Sequence, residues 1–364
     1  MTARRFVIVA PSAADNSLGR ALCVAATCEL LGDVELLAPD DGPLWVGASA
    51  WSTPVRRVPA ADLPATVADA CRAADPVLIP VKPLPTSLGI ALRAADGARL
   101  VVDLDEDDVE LRRSSLRAGG PRTRLRRHWS YLRTSLPGHP SVVRRLLRKG
   151  VRRADLVTTS SRALADAVLD GSRPAFVLPH ARAPRPYRPP TPAPRLRIGF
   201  FGTLRRYKGA DTLVRLLRAV PDAELHVLGD RPPPDLADLG SRVIAHPPGG
   251  PRPLEAAYDQ TDVVVLPQDP AARQTRLQLP AKLIDAMMFG RPVIATDTPP
   301  IREIGGAGIV RLGTWKDLRP VVTELDRLRD PAERERIGRA VHADAHARLT
   351  TTALAGGLAD ALRS

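Results

Sequence analysis

Short apolar runs rich in β-branched residues alternate with segments of helical period along the whole chain. That alternation is the strongest constraint on what it can fold into. In the first half the runs are Phe6–Ala10, Val34–Ala38, Val77–Pro80, Leu100–Asp103, Leu156–Thr159 and Ala175–Leu178. In the second half they are Leu196–Phe201, Glu224–Leu228, Val243–Ala245, Val263–Leu266, Val293–Ala295 and Ile309–Val310. Strands separated by helices pair in parallel, with helices covering both faces of the sheet. Between the halves runs ARAPRPYRPPTPAPR, Ala181 to Arg195, whose six prolines cannot pair in a sheet and favour extended geometry. The sequence therefore predicts an α/β protein of two doubly wound, Rossmann-like domains. The expected boundaries are a first domain over 1–183, a proline-rich linker over 184–195 and a second domain over 196–345. A final helical segment over 346–364, with Leu354, Leu358 and Leu362 on one face, is expected to pack back toward the first domain. Two such domains facing across a cleft place their strand carboxyl ends where ligands bind in open α/β sheets.

Charge points to an acidic partner. The net charge is +13, and of 53 basic residues only Lys82, Lys149, Lys208, Lys282 and Lys316 are lysines. In so arginine-rich a chain each retained ammonium is informative, because it is a compact charge unlike a planar guanidinium. No apolar run approaches the ~20 residues of a membrane span. The three cysteines, Cys23, Cys28 and Cys71, form neither a disulfide framework nor a zinc pattern. Cytoplasmic placement is expected, with peripheral contact at an inner membrane surface as one option. The basis for that option is the insert 112–154, which holds fourteen Arg or Lys and no acid. Three readings are open for Arg112–Arg153: a solvated basic insert, a surface that meets anionic membrane or an acceptor, and a nucleic-acid contact. No recognised nucleic-acid module pattern accompanies it.

Two stretches carry chemistry. In FFGTLRRYKGADTLVRLL, Phe200 to Leu217, a strand ends at a glycine, and Arg205, Arg206 and Lys208 precede a helix. Free amides and the helix dipole favour an anion at such a turn. The spacing matches neither a Walker loop nor G-x-G-x-x-G. In QLPAKLIDAMMFGRPVIATDTPPIREIGG, Gln278 to Gly306, Pro280 suits a first helical turn and Gly290 a helix end. Lys282 and Asp285 lie three apart and share a face, so a surface ion pair between them is one expectation. A carboxylate receiving two ribose hydroxyls is the other. The amides of Leu277, Gln278 and Leu279 precede that helix and are candidates for a phosphate or sugar.

The ordered set FGTLRRYKGADTL, YDQTDVVVLPQ and LPAKLIDAMMFGRPVIATDTPPIREI resembles a retaining glycosyltransferase of family four. The first half resembles the family's acceptor domain through FVIVAPSAADNSLGRAL, LVVDLDEDD and ADLVTTSSRAL. The resemblance implies a GT-B fold and transfer of a hexose-type sugar from a nucleoside-diphosphate sugar to an acceptor hydroxyl, with anomeric retention. It implies no metal and no cofactor beyond the donor itself. Lys208 corresponds to the diphosphate-binding lysine, Gly202 to the turn, and Asp285 to the second acid of E-x7-E, a ribose contact. Two positions depart from the pattern. Thr203 replaces the usual arginine, leaving Arg205 or Arg206 to supply the second cation, and Leu277 stands where the first acid belongs.

In the first half, Gly19 in SLGRAL is expected to let the donor diphosphate approach a bare helix start. Asp103 and Asp105 end a strand and are candidates to orient acceptor hydroxyls; Lys82 and His180 are further acceptor-side candidates. A sugar, a lipid-linked intermediate and a small molecule are all open as acceptors. Two other functions compete with the transferase. One is a catalytically silent GT-B protein that binds a partner, and the other a basic nucleic-acid-binding protein.

Overall fold

The computed structural model describes residues 4–72, 75–117, 120, 122–123, 126, 129, 138–169, 171, 173–202, 208–229, 234–248, 251–306 and 308–364. It contains two parallel sheets, each in its own unit. The first unit is Met1–Ala181 with Leu354–Ser364, and the second is Arg182–Ala353.

The strands of the first unit are β1 (Arg4–Val9), β2 (Gly32–Pro39), β3 (Val55–Val58), β4 (Pro76–Pro80), β5 (Arg99–Leu104), β6 (Leu156–Thr159) and β7 (Phe176–Val177). They are ordered β3-β2-β1-β4-β5-β6-β7, and every pairing is parallel. The one strand that the apolar pattern does not predict is β3. Its sequence, VRRV, is an edge whose Arg56 reaches Glu35 on β2 at 2.7 Å. Charged edges of this kind discourage pairing with another chain. The helix Thr351–Ala361 brings Leu358 and Leu362 into the core of this unit beside Leu18, Leu22 and Leu178.

The second unit holds β8 (Arg197–Phe200), β9 (Glu224–Leu228), β10 (Val243–His246), β11 (Val263–Leu266), β12 (Val293–Thr296) and β13 (Ile309–Leu312), ordered β10-β9-β8-β11-β12-β13. Again all pairings are parallel. In both sheets the order reverses beside the first strand: between β1 and β4, and between β8 and β11. That reversal opens the crevice where doubly wound sheets take ligands.

The stretch expected as a linker is instead packed onto the second unit. Its prolines stay out of the sheet, but Arg185 stacks 3.5 Å from the centroid of the Phe289 ring and pairs with Glu255 at 3.0 Å. Tyr187 fills the space over Gly290 and Gly338, where any Cβ would collide with it or with backbone. The Arg188 carbonyl accepts from the buried Arg291. Among the described residues no helix is long and apolar enough to cross a membrane. Of the basic insert, the helix Pro140–Arg153 is described. RTRLRRHWSYLR falls mostly outside the described residues.

Candidate functional site

Among the described residues the second unit's crevice is built by β8, Gly202 just after it and the helix Ala281–Met288. Gly209 caps the helix Ala210–Ala219 at φ +90°, and a Cβ there would strike the carbonyl of Pro267, just beyond β11. Glycine is therefore needed twice over, for the left-handed backbone and for the close approach. Lys208, next to it in sequence, lies near enough to Lys282 for the two charges to repel. Arg205, Arg206 and Thr203 lie outside the described residues.

Lys282 is the central finding. Its Nζ sits 4.2 Å from the Phe200 ring centroid and directly over Gly202, where a Cβ would collide with the ammonium. The Nζ is buried and, among the described residues, has no hydrogen-bond partner. Burial, then the charge of Lys208, push it down to about 7, against the opposing pull of Asp285. The expected surface ion pair with Asp285 is not made. Asp285 instead accepts from Arg182 Nε at 2.5 Å, across 103 residues of sequence. Arg182 is fixed by its own backbone, which bonds to Leu349 and Thr351. A buried cation without a partner, beside a second cation, is costly unless an anion completes it.

Of the amides offered for a phosphate, that of Gln278 is already used: it donates to Gln274 at 3.0 Å and closes the short helix Arg273–Leu277. Leu277 and Leu279 are buried. Sequence reasoning missed two groups at this edge. The Gln268 Oε1 and the Thr298 Oγ1 are buried beyond β11 and β12 with no hydrogen-bond partner among the described residues. Their only sequence signal is a polar residue at the carboxyl end of a buried strand.

The matching edge of the first unit is filled by its own side chains. Arg20 donates to both oxygens of Asp103, at 2.9 and 2.7 Å, and Thr158 Oγ1 adds a bond at 2.7 Å. Asp103 is thus consumed structurally and offers no oxygen to an acceptor. Lys82, expected to face the cleft, is buried at φ +68°. It bonds Glu106, with Asp105 and Asp108 at 3.8 and 3.7 Å. His180 is buried with its Nε2 3.3 Å from Asp105 Oδ1. Burial opposes its charge, but Asp105, aided by the Cys23 sulfur, prevails and holds it up at about 9. Asp108 is pushed up to about 7 by burial, against the attraction of Lys82. Gly19 does not stand bare. The Trp45 indole lies 3.1 Å from where its Cβ would be, so its smallness serves packing. Among the described residues no three His, Cys, Asp or Glu side chains are grouped to hold a metal.

Residues 195–323 match the family model described as glycosyl transferases group 1. No curated protein matches the chain by sequence. Among solved structures the chain is similar to Anabaena Alr3699/HepE in complex with UDP and glucose, at 16% identity and a TM-score of 0.68 over 100% of both chains. It is also similar to the sucrose-phosphate synthase of Thermosynechococcus elongatus, at 17% identity and a TM-score of 0.65, covering 99% of this chain and 98% of that one. An α-glucosyltransferase in complex with UDP and a 13-mer DNA gives 11% identity and a TM-score of 0.67 over 99% and 100% of the two chains. The chain accordingly has the GT-B fold of glycosyltransferase structures, two Rossmann-like units with every strand parallel, and its second unit carries the segment that matches glycosyl transferases group 1.

Proposed function

We propose that this protein is a glycosyltransferase that takes a sugar from a nucleoside-diphosphate sugar, with retention at the anomeric carbon. The observation that carries the reading is the buried Lys282 ammonium against Gly202, which has no hydrogen-bond partner among the described residues. Lys208 and the start of the helix Ala210–Ala219 stand beside it, inside the segment that matches the family model. A diphosphate is the anion whose size and charge suit two ammonium groups and a helix start. As the glycosidic C–O bond breaks, negative charge grows on the β-phosphate. Preorganised donors stabilise that charge more in the transition state than in the ground state. A departing phosphate oxygen can take the acceptor proton on the same face, so no dedicated base and no metal is required. The neighbours solved with UDP make UDP and UDP-glucose the first ligands to try.

Lys208→Ala should lower turnover at saturating donor by about 10²–10³-fold, or ~3–4 kcal/mol. Turnover near wild type would remove Lys208 from the mechanism. Calorimetry offers a second test. At pH 8 a Lys282 amine titrating near 7 is mostly neutral, so diphosphate binding should draw a proton from the buffer. UDP heats that do not vary with buffer ionisation enthalpy would refute Lys282 as its partner. An inverted product anomer, seen by NMR, would overturn retention.

The silent GT-B reading also has an observation in its favour. Asp285 is held by Arg182, and Leu277 is buried where the resemblance implies an acid. Hydrolysis or transfer of a UDP-sugar by the purified protein rejects it.

A further inference from the structure

A cavity of about 610 Å³ lies against the helices Asp108–Arg117 and Pro140–Arg153, which pack together in the first unit. Six arginines line it: Arg113 and Arg117 from one helix, Arg144, Arg145, Arg148 and Arg152 from the other. The spacing of the last four places them on one helical face. The opposite face is seated firmly. Val143 and Gly150 are buried, and a Cβ on Gly150 would run into Leu88. These arginines therefore project from a fixed backbone.

Their charge is poorly answered. Glu110 approaches Arg113 and Arg117 only at 3.6 and 3.8 Å. Among the described residues no carboxylate pairs with Arg144, Arg145, Arg148 or Arg152. Like charges converging on one recess repel, and a multiply charged anion would relieve all of them together. At the same recess, the helix Pro140–Arg153 begins, with His139 capping it by accepting from the Ser141 amide. Guanidinium forks bind phosphoryl oxygens two at a time.

We propose that this recess binds a phosphoryl-rich group, a diphosphate or two neighbouring phosphates. The charges line a concave space, which suits a discrete anion better than the plane of a bilayer. The role follows from position and rests on the transferase reading. Asp108, the first residue of the Asp108–Arg117 helix, belongs to the buried cluster at the carboxyl edge of the sheet. Arg113 and Arg117 stand about 8–14 Å further along the axis, at 1.5 Å per residue. That distance is of the order of one or two sugar rings. The recess anchors a phosphorylated acceptor by its charge and leaves its sugar hydroxyl toward that edge.

The test is calorimetric titration of the full chain with inorganic pyrophosphate, in the presence of saturating UDP to occupy the donor crevice. Wild type should bind. Arg144→Gln/Arg148→Gln should bind at least tenfold more weakly with UDP affinity unchanged. Arg144→Lys/Arg148→Lys, which keeps the charge but loses the forks, should fall between. Equal pyrophosphate affinity in all three would overturn the proposal. A protein that fails to bind UDP but loses pyrophosphate in the variant would sink the donor reading and keep this one. Vesicles of equal phosphatidylglycerol and phosphatidylcholine separate the sources. Vesicle binding that pyrophosphate competes away identifies a lipid headgroup, and pyrophosphate binding without vesicle binding identifies a free phosphate. Vesicle binding alone, with no affinity for pyrophosphate, overturns the proposal.

Discussion

The two sheets reach the same topological point and treat it in opposite ways. Beside β1 and β4, at the first reversal of strand order, Arg20 pairs with Asp103, Lys82 with Asp105, Glu106 and Asp108, and His180 with Asp105, so each charge has an opposite charge within 4 Å, although Asp105 Oδ1 and both Asp108 oxygens accept no hydrogen bond among the described residues. Beside β8 and β11, at the second, the buried Lys282 ammonium has the Phe200 ring against it but no hydrogen-bond partner or counter-ion among the described residues, with Lys208 adding like charge. Charges paired with their opposites fix a wall, whereas a charge without a counter-ion reserves a place. The difference assigns scaffolding to the first edge and anion capture to the second from a single rule: buried charge needs a partner.

The sharpest way to break this contrast is to remove one member from each edge. Asp103→Ala leaves Arg20 buried without its carboxylate and should lower stability by about 3–5 kcal/mol, read as a fall in the denaturation midpoint. Lys282→Met should do the reverse in the ligand-free protein. It removes a buried charge whose titration has dropped from 10.5 to about 7, and should raise stability on the order of 2–4 kcal/mol at pH 7. The gain should be full below pH 7 and fade toward 10.5. In that window the unfolded lysine holds a proton that the folded one has released. A Lys282→Met protein that melts lower than wild type would show that the ammonium already has a partner.

Histidine titration sharpens the comparison further, on the order of 1–3 kcal/mol for each side chain. In the first unit His180 is raised from 6.5 to about 9, so its stabilisation is complete below pH 6.5 and is lost as pH rises through 9. In the second unit burial, then His246, depress His226 from 6.5 to about 4. The two rings share a hydrogen bond of 2.8 Å. Its stabilisation is present above pH 6.5 and is lost as pH falls through 4. His180→Asn should flatten the alkaline decline in melting temperature, and His226→Asn the acid one. Loss of both slopes in either variant would mean that the two edges are energetically coupled. The smallest effect belongs to an exposed edge contact: Arg56→Ala should stay within about 1 kcal/mol of wild type in the same melts.

Much of the fold could be read from the sequence, because an apolar run in a parallel sheet is buried on both faces and shows at any position. Strands such as Leu156–Thr159, Glu224–Leu228 and Val263–Leu266 begin and end where their composition changes. The charged edge Val55–Val58 escaped for the opposite reason: half of it faces water. The site was legible residue by residue but not in its pairings. Helical spacing puts Lys282 and Asp285 on one face, yet it carries no sign that Phe200 and Gly202 cover the first or that Arg182 captures the second. Asp103 and Asp105 likewise read as carboxylates free to orient an acceptor, because their counter-charges Arg20, Lys82 and His180 come from three other parts of the chain.

The first unit is interrupted in sequence, since Leu354–Ser364 completes it after the whole of Arg182–Ala353 has been made. On a ribosome the second unit can therefore close while the first still lacks the pegs Leu358 and Leu362, each worth roughly 1.5–3 kcal/mol when buried. Until residues 354–364 emerge, an apolar slot beside Leu18 and Leu22 stays open to water and to other nascent chains. Birth order and maturation order are thus reversed, and the unit begun first waits for a later segment to seal it.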